Sequence, residues 1–571
     1  MDATRYRGAR ARPAAGTDDR ADAAPGPSGA ATPAANPPLG LAGRLLIAVV
    51  PALLGLITGG YHLGRVPLWR DEAATKAIAS RRVIRILATM PHDDLVHGAY
   101  YLVVHYVIRV LGSSNHALRL PSVLAMAVAC AFTALVAERL ASAAGRSGAA
   151  WTGLTAGVIF ALLPATIAYA QEARSYALVT MMATIATYLL LRALDDGRPG
   201  WWAGYGAAVF LAALFNLFGL LILVAHGLTL LALARPAAAR HGPWRRLGAP
   251  LGWVAASAVA VALLIPVVII AYGQRTALSW ISSSPSLSRD AISLARLWAG
   301  SDGLVWPVFG LAALGVAASV IADRRALGPA TVALPWLAAP SAILIAFSAL
   351  HPIYDQRYVE FSLPALAICV ASGIGWLGRL AGVALSRSGL GRSRVGRSGR
   401  GRSGRGQGPV TWLAFLPALA AAVALVVALL PADAVVRLSS YRPDNLEREA
   451  GIIAANARPG DIVFFIPVND RIVSMPFPSS WRRLRDIALE TSPVASDTLY
   501  GTDVGPAALL RRFTHVTRVW VISSANESEA AYLATTEPTA LDQEEYRLVG
   551  AMRRIHRWRD GDTELTLYAA R

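Results

Sequence analysis

Gly98-Ala-Tyr-Tyr-Leu-Val-Val-His105-Tyr-Val-Ile-Arg109-Val-Leu-Gly112 decides how this chain is organised, because everything after it changes side if it crosses a membrane. The stretch is apolar but only about 15 residues long, short of the roughly 20 a spanning helix needs, and it contains His105 and Arg109. It reads as a helix lying along the membrane surface, outside the count of crossings. Around it, a 571-residue chain with 55% hydrophobic residues and mean hydropathy +0.45 is too apolar for a soluble globular protein. Its apolar runs are long rather than short and alternating, which points to helices and excludes a barrel.

The first span runs from Leu41 to Leu63. Others follow near 119–138, 151–169, 177–193, 201–215, 218–234, 250–272, 303–322, 330–349, 361–380 and 411–431, eleven in all. With that count, the connector holding Arg235, Arg240, Arg245 and Arg246, the pair Arg324 and Arg325, and the segment Arg379 to Arg405 all fall on the cytoplasmic side. A crossing at Gly98 to Gly112 would put all three outside. The eleven-pass reading makes 201–234 a tight hairpin turning near Asn216; one unbroken helix there would measure about 51 Å against a bilayer core of about 30 Å.

The net charge of +18 comes from 53 Arg and a single Lys, Lys76, gathered mainly in short connectors, so topology accounts for it and no nucleic-acid partner is expected. Gly389 to Gly408 (GLGRSRVGRSGRGRSGRGQG) has the composition of an RNA tether but no aromatic residue for base stacking, and it reads as part of a cytoplasmic loop, 381–410. Cys130 and Cys369 fall inside spans, so no disulfide is expected. Residues 1–40, with Arg5, Arg7, Arg10 and Arg12, read as a disordered cytoplasmic tail and not as a cleavable signal. Residues 432–571 read as a small external α/β domain, with strands in Asp461–Pro467, Arg518–Ser523 and Thr563–Tyr568 and helices in Arg442–Asn456 and Ala507–Phe513. The expected fold class is mainly α: a polytopic membrane bundle of about eleven spans, residues 41–431, carrying that domain.

Three connectors share the external face and bear chemistry. The first external loop, 64–118, holds Asp71 and Glu72, with His92 and Asp94 further on. A carboxylate pair beside a bilayer is costly to keep, and a reaction on a lipid-borne substrate needs a base at that depth. The ordinary alternative is two acids in the first turn of a surface helix, complementing its dipole. Lys76 stands at i, i+4 from Glu72 and suits either an ion pair or a phosphate contact. The second connector, Gln171-Glu172-Ala-Arg174-Ser-Tyr176, suits either a helix-end ion pair or a binding role. The third, His351-Pro-Ile-Tyr354-Asp355-Gln-Arg357-Tyr358, supplies another arginine, whose planar fork can donate two parallel hydrogen bonds to a phosphate or merely snorkel to the headgroups. No Walker loop, glycine fingerprint, zinc spacing or Ser-His-Asp signature is present. No cofactor is indicated, and nothing in the spacing calls for a divalent metal, although carboxylates are compatible with one.

Trp69-Arg70-Asp71-Glu72-Ala-Ala-Thr75, Tyr100-Tyr101-Leu-Val-Val-His105 with Leu111-Gly112-Ser113, Leu118-Arg119-Leu-Pro121-Ser122, and Gln171-Glu172-Ala-Arg174-Ser-Tyr176-Ala-Leu178 occur in that order. Together they resemble the GT-C membrane glycosyltransferases, in particular the family 39-like group related to protein O-mannosyltransferases and the lipid A aminoarabinose transferase. The resemblance runs from about Leu41 to Leu380. It implies transfer of a sugar, mannose or another hexose or pentose, from a polyprenyl-phosphate donor to an external glycan, lipid or protein acceptor. It implies Asp71 as base with Glu72 assisting, Arg174 and Arg357 holding the lipid phosphate, and Glu172 meeting sugar or acceptor. Lys76, His92, Asp94, Tyr100, Arg119, Tyr176, Asp355 and Tyr358 complete the expected binding residues. Where related sequences often carry proline before the tyrosine pair, this chain has His97-Gly98-Ala99. The competing expectation is a lipid-sugar flippase, which calls for polar residues inside the spans and for internal repeats, both weak here.

Overall fold

The computed structural model describes residues 40–144, 148–234, 243–275, 281, 286–323, 326–387, 416–525, 532–533 and 538–571. The tail 1–39, the Arg/Gly/Ser-rich segment, Arg235, Arg240, Arg324, Arg325 and the side chains of Arg245 and Arg246 lie outside the described residues.

Each apolar run is a helix. They are Leu41–Gly60, Asn115–Ala143, Ala149–Leu162 with Pro164–Ala170, Tyr176–Asp196, Pro199–Phe215, Leu221–Leu233, Pro243–Gly273, Asp302–Asp323, Leu334–Ser348, Leu363–Arg387 and Leu416–Val435. Among the described residues eight helices are long and apolar enough to cross a membrane, and a ninth candidate is the pair bent by 62° around Leu163. Pro164 opens the second arm of that pair; lacking an N–H and clashing with the preceding turn, proline ends the first arm there. Pro199–Phe215 and the arm after it are shorter than an ordinary span. They meet at Asn216, whose side chain accepts a hydrogen bond from the Phe218 N–H and caps the second arm.

Helix Leu41–Gly60 leaves Leu45, Leu46, Leu53 and Ile57 exposed, the surface expected of a helix facing lipid. Helix Leu363–Arg387 lies at the centre, with Leu363 and Ala365 through Ala371 buried. It meets Asp302–Asp323 at Gly315 and Gly373, where a Cβ would stand 2.1 Å from the Cys369 carbonyl and 2.0 Å from that of Leu311. Only glycine permits this approach of two backbones.

The loop after the first span is not irregular. It holds helices Arg70–Ala79 and Val83–Thr89 before Gly98–Leu111. The last buries Tyr100, Tyr101, Val104 and His105 and exposes Tyr106, Val110 and Leu111, an amphipathic helix of 14 residues. The charges of Arg70, Asp71, Glu72, Arg81, Arg82 and Arg85, in and between the two earlier helices, obscure their apolar face, whose buried apolar residues are Ala73, Ala74, Ile78, Ala79 and Ile86.

The C-terminal domain is built on a five-stranded sheet in the order β2-β1-β5-β7-β6: β1 Ile462–Ile466, β2 Arg485–Asp486, β5 Arg518–Ser524, β6 Arg553–Asp560 and β7 Thr563–Ala569. β1 is parallel to β2 and β5; β7 runs antiparallel to β5 and β6. A separate antiparallel pair joins β3 Leu489–Thr491 to β4 Thr502–Asp503. β1 is buried along its whole length, as a strand covered on both faces must be. β6, Arg-Arg-Ile-His-Arg-Trp-Arg-Asp, is not apparent from an apolar run because it is an edge strand, and edge arginines discourage pairing with other chains.

Candidate active site

Helix Arg70–Ala79 follows the first span after the connector 61–69, with Asp71 and Glu72 in its first turn. Successive helical residues point about 100° apart, and the two carboxylates have different surroundings. Glu72 is fully buried and receives Arg119 Nε at 2.7 Å, Arg119 Nη2 at 2.6 Å and the Ala173 N–H at 2.8 Å. Arg119 also donates to the carbonyls of Leu63, Val66 and Pro67. Glu72 and Arg119, both fully buried, thus form a strut between the first loop, the second span and the Gln171–Tyr176 turn.

Asp71 faces the other way and keeps a quarter of its side chain exposed. Arg357 is ion-paired to it through Nη1, and Arg174 Nε lies 3.7 Å away. Arg174 Nη1 is 3.2 Å from Asp94 Oδ2 and 3.0 Å from the Tyr101 hydroxyl, which itself donates to Asp94. One guanidinium therefore stands between two carboxylates. Burial raises the pKa of Asp71, but Arg174 and Arg357 together outweigh it and hold the group below the ordinary carboxylate value. His97 donates to or accepts from Ser175 Oγ at 2.8 Å and sits edge-on to Tyr176. Burial, aided by Arg174, keeps its imidazole neutral well below its usual pKa.

Around this centre, Asp355 lies 3.2 Å from Arg357 Nε and caps the Arg357 N–H, fixing the guanidinium beside Trp69, Tyr176 and Tyr358. Phe218, from the hairpin turn after Asn216, stacks on Tyr358 at 4.7 Å. Glu172 is buried and receives Arg442 at 2.8 Å. Burial raises its pKa more than Arg442 lowers it. Arg442, like Arg357, lies over the Trp69 ring, 5.5 Å from its centroid.

Asp71, Asp94, Glu172, Arg174, Tyr176, Asp355, Arg357 and Tyr358 thus come together from the three connectors. Tyr100 lies behind them, its hydroxyl 3.2 Å from Ser122. Two expected residues stand apart. Lys76 does not pair with Glu72, which Arg119 occupies; its ammonium sits over the Phe477 ring at 5.2 Å, against the α/β domain. His92 is exposed, in the turn after the helix Val83–Thr89, and bonds the carbonyl of Ala88 in that helix. Residues that sequence reasoning passed over include Trp69, His97, Tyr101, Ser175 and Glu360, a buried carboxyl beside Glu172 and Trp298. Arg442 and Tyr500 come from the C-terminal domain, and the Tyr500 phenol is raised by burial and by the fields of Asp94, Asp93 and Asp71. The tyrosine doublet marks Tyr101, but nothing in the sequence points from Arg442 or Tyr500 to this place. Among the described residues, no group of three or more His, Cys, Asp or Glu side chains could hold a metal ion.

A family model described as dolichyl-phosphate-mannose-protein mannosyltransferase matches residues 99–270. No curated protein matches the chain in sequence. The structure is similar to ArnT from Cupriavidus metallidurans in the apo state, with TM-score 0.52 and 16% identity over 92% of this chain and 98% of that one. It is similar also to ArnT bound to undecaprenyl phosphate, with TM-score 0.50, 16% identity and the same coverage. A multi-pass helical bundle carrying a small α/β domain, matched over nearly the whole length of both chains, gives this protein the fold of the GT-C membrane glycosyltransferases.

Proposed function

We propose that the chain transfers a sugar from a polyprenyl-phosphate donor to a hydroxyl-bearing acceptor on the extracytoplasmic face, with Asp71 as base. The observation that carries this reading is the position of Asp71 between Arg174 and Arg357. Two guanidinium groups at one partly open point suit a phosphate, and without one they pair with the nearest carboxylate. The undecaprenyl phosphate held by ArnT supports a lipid phosphate as the donor's anionic part.

When the donor phosphate takes those guanidinium groups, Asp71 loses the charges that lower its pKa while keeping the burial that raises it, and becomes a better base. It accepts the proton of the acceptor hydroxyl as that oxygen bonds to the anomeric carbon. The bond from that carbon to the phosphate oxygen breaks, and the lipid phosphate leaves with the electron pair, stabilised by Arg174 and Arg357. A phosphate leaving group needs no protonation, so one carboxylate suffices, unlike in glycoside hydrolysis. In-line displacement inverts the anomeric centre. Membranes holding the wild-type protein should transfer label from one of a panel of radiolabelled polyprenyl-phosphate sugars, mannose first among them. Asp71→Asn should lower transfer by about 10³-fold; transfer at the wild-type rate in that variant refutes Asp71 as base.

A further inference from the structure

Arg174 stands 3.7 Å from Asp71 and 3.2 Å from Asp94, and each of these carboxylates directly follows a residue fastened to the α/β domain. Before Asp71, the Arg70 side chain enters the domain as a peg. Its Nε lies 3.4 Å from Asp444, its Nη2 donates to Thr563 Oγ1 at 3.0 Å, and its Nη1 pairs with Asp470. Those partners come from three separate segments of the domain, and the Leu446 N–H donates to the Leu68 carbonyl alongside. Before Asp94, the Asp93 carboxylate accepts the Leu499 N–H at 2.7 Å. The adjoining residues are held as well: Arg81 donates to the Thr498 carbonyl at 2.8 Å and Arg85 pairs with Asp497 at 2.9 Å. The far side of that loop is fixed by Arg471, which donates to the Tyr500 carbonyl and pairs with Asp486 and Asp503.

Asp94 has φ +53° and ψ +38°, the left-handed region, which an aspartate keeps only where its surroundings impose it. Arg70 lies in the same helical turn as Asp71, so a shift of the peg rotates the carboxylate. We infer that Arg70 and Asp93 are positioning residues through which the α/β domain sets Asp71 and Asp94 at their places about Arg174. The activity readout of this inference rests on the transfer reaction proposed above; its exchange readout does not.

The test uses the full chain with three variants. Asp93→Ala removes the acceptor of the Leu499 N–H, whereas Asp93→Asn keeps an oxygen there. Arg70→Met combined with Asp444→Asn and Asp470→Asn removes the peg together with the charges of the two carboxylates it pairs with. Asp93→Ala and the triple variant should each lose about 100-fold in kcat with donor KM within about twofold of wild type. Asp93→Asn should recover most of the loss. Amide hydrogen exchange should quicken over 68–75 in the triple variant and over 90–97 in Asp93→Ala. Wild-type kcat in either damaged variant, Asp93→Asn no better than Asp93→Ala, or unchanged exchange overturns the inference. If the wild type transfers no sugar from any donor, exchange alone still decides it, so the two readings fail separately.

Discussion

Two guanidinium groups close on Asp71, whereas three carboxyl groups, those of Asp444, Asp470 and Glu449, surround Arg70 one residue earlier. Asp71 and Arg70 are equally exposed, 25% and 24%; the first cluster is open to an anion because it holds a surplus of cations, and the second is closed to one because its single cation is taken by Asp444 and Asp470, both almost wholly buried. Glu72 and Arg119, both fully buried and joined by two hydrogen bonds, belong with the second kind. Open ion pairs with a surplus of cations can exchange a carboxylate for an incoming anion. Closed ones hold backbone segments together and have nothing to exchange. Within three consecutive residues, an aspartate beside a surplus of cations is thus flanked by two side chains that hold the scaffold together.

The largest effect that sharpens the distinction comes from breaking a closed pair. Arg119→Leu leaves Glu72 buried without its partner and three carbonyls without a donor, and should destabilise the chain by about 3–5 kcal/mol. Thermal unfolding of the detergent-solubilised protein reads this as a large fall in Tm. A Tm near wild type would make the Glu72–Arg119 pair no strut. Next comes an open pair. Arg357→Gln should leave Tm nearly unchanged and lower kcat/KM for the donor by about 100-fold, because a hydrogen-bonded cation facing the phosphate is lost. Removing that cation also lets the pKa of Asp71 rise in the free protein, so the acid limb of the kcat/KM profile should move to higher pH.

The smallest effect belongs to Glu449. Burial and Asp444 push its carboxyl up to about 8 against the attraction of Arg70, from an ordinary value of 4.5. The folded protein therefore binds more protons than the unfolded chain between these two values, and stability falls as pH rises through that window. Glu449→Gln removes this slope. The variant should gain on wild type by an amount on the order of 2 kcal/mol above pH of about 8, with the gain gone below about 4.5. Unfolding measured at both ends checks it; equal wild-type and variant stability at the alkaline end would remove Glu449 from the closed cluster.

Much of the architecture was legible because the membrane imposes length. Gly98–Leu111 is too short to cross and is an amphipathic helix, and the 201–234 stretch is too long for one helix and breaks at Asn216. The three connectors were legible because charges between apolar runs are rare, and they do converge. Glu72 and Lys76 show what sequence alone could not assign: a charged residue in such a loop looks the same whether it faces a substrate, a buried arginine such as Arg119 or an aromatic ring such as Phe477. Arg442, Tyr500 and the partners of Arg70 were hidden for another reason. They lie hundreds of residues away in a domain without a recognisable motif, and only the docking of that domain brings them to the first loop.

The account turns on Asp71 and the donor phosphate competing for Arg174 and Arg357. Binding of undecaprenyl phosphate to wild-type, Asp71→Asn and Arg357→Gln proteins, measured alongside transfer, tests this directly. Asp71→Asn should bind the lipid at least as tightly as wild type while transferring sugar about 10³-fold more slowly, and Arg357→Gln should bind it more weakly. Loss of lipid binding in Asp71→Asn, or unchanged binding in Arg357→Gln, would contradict the competition.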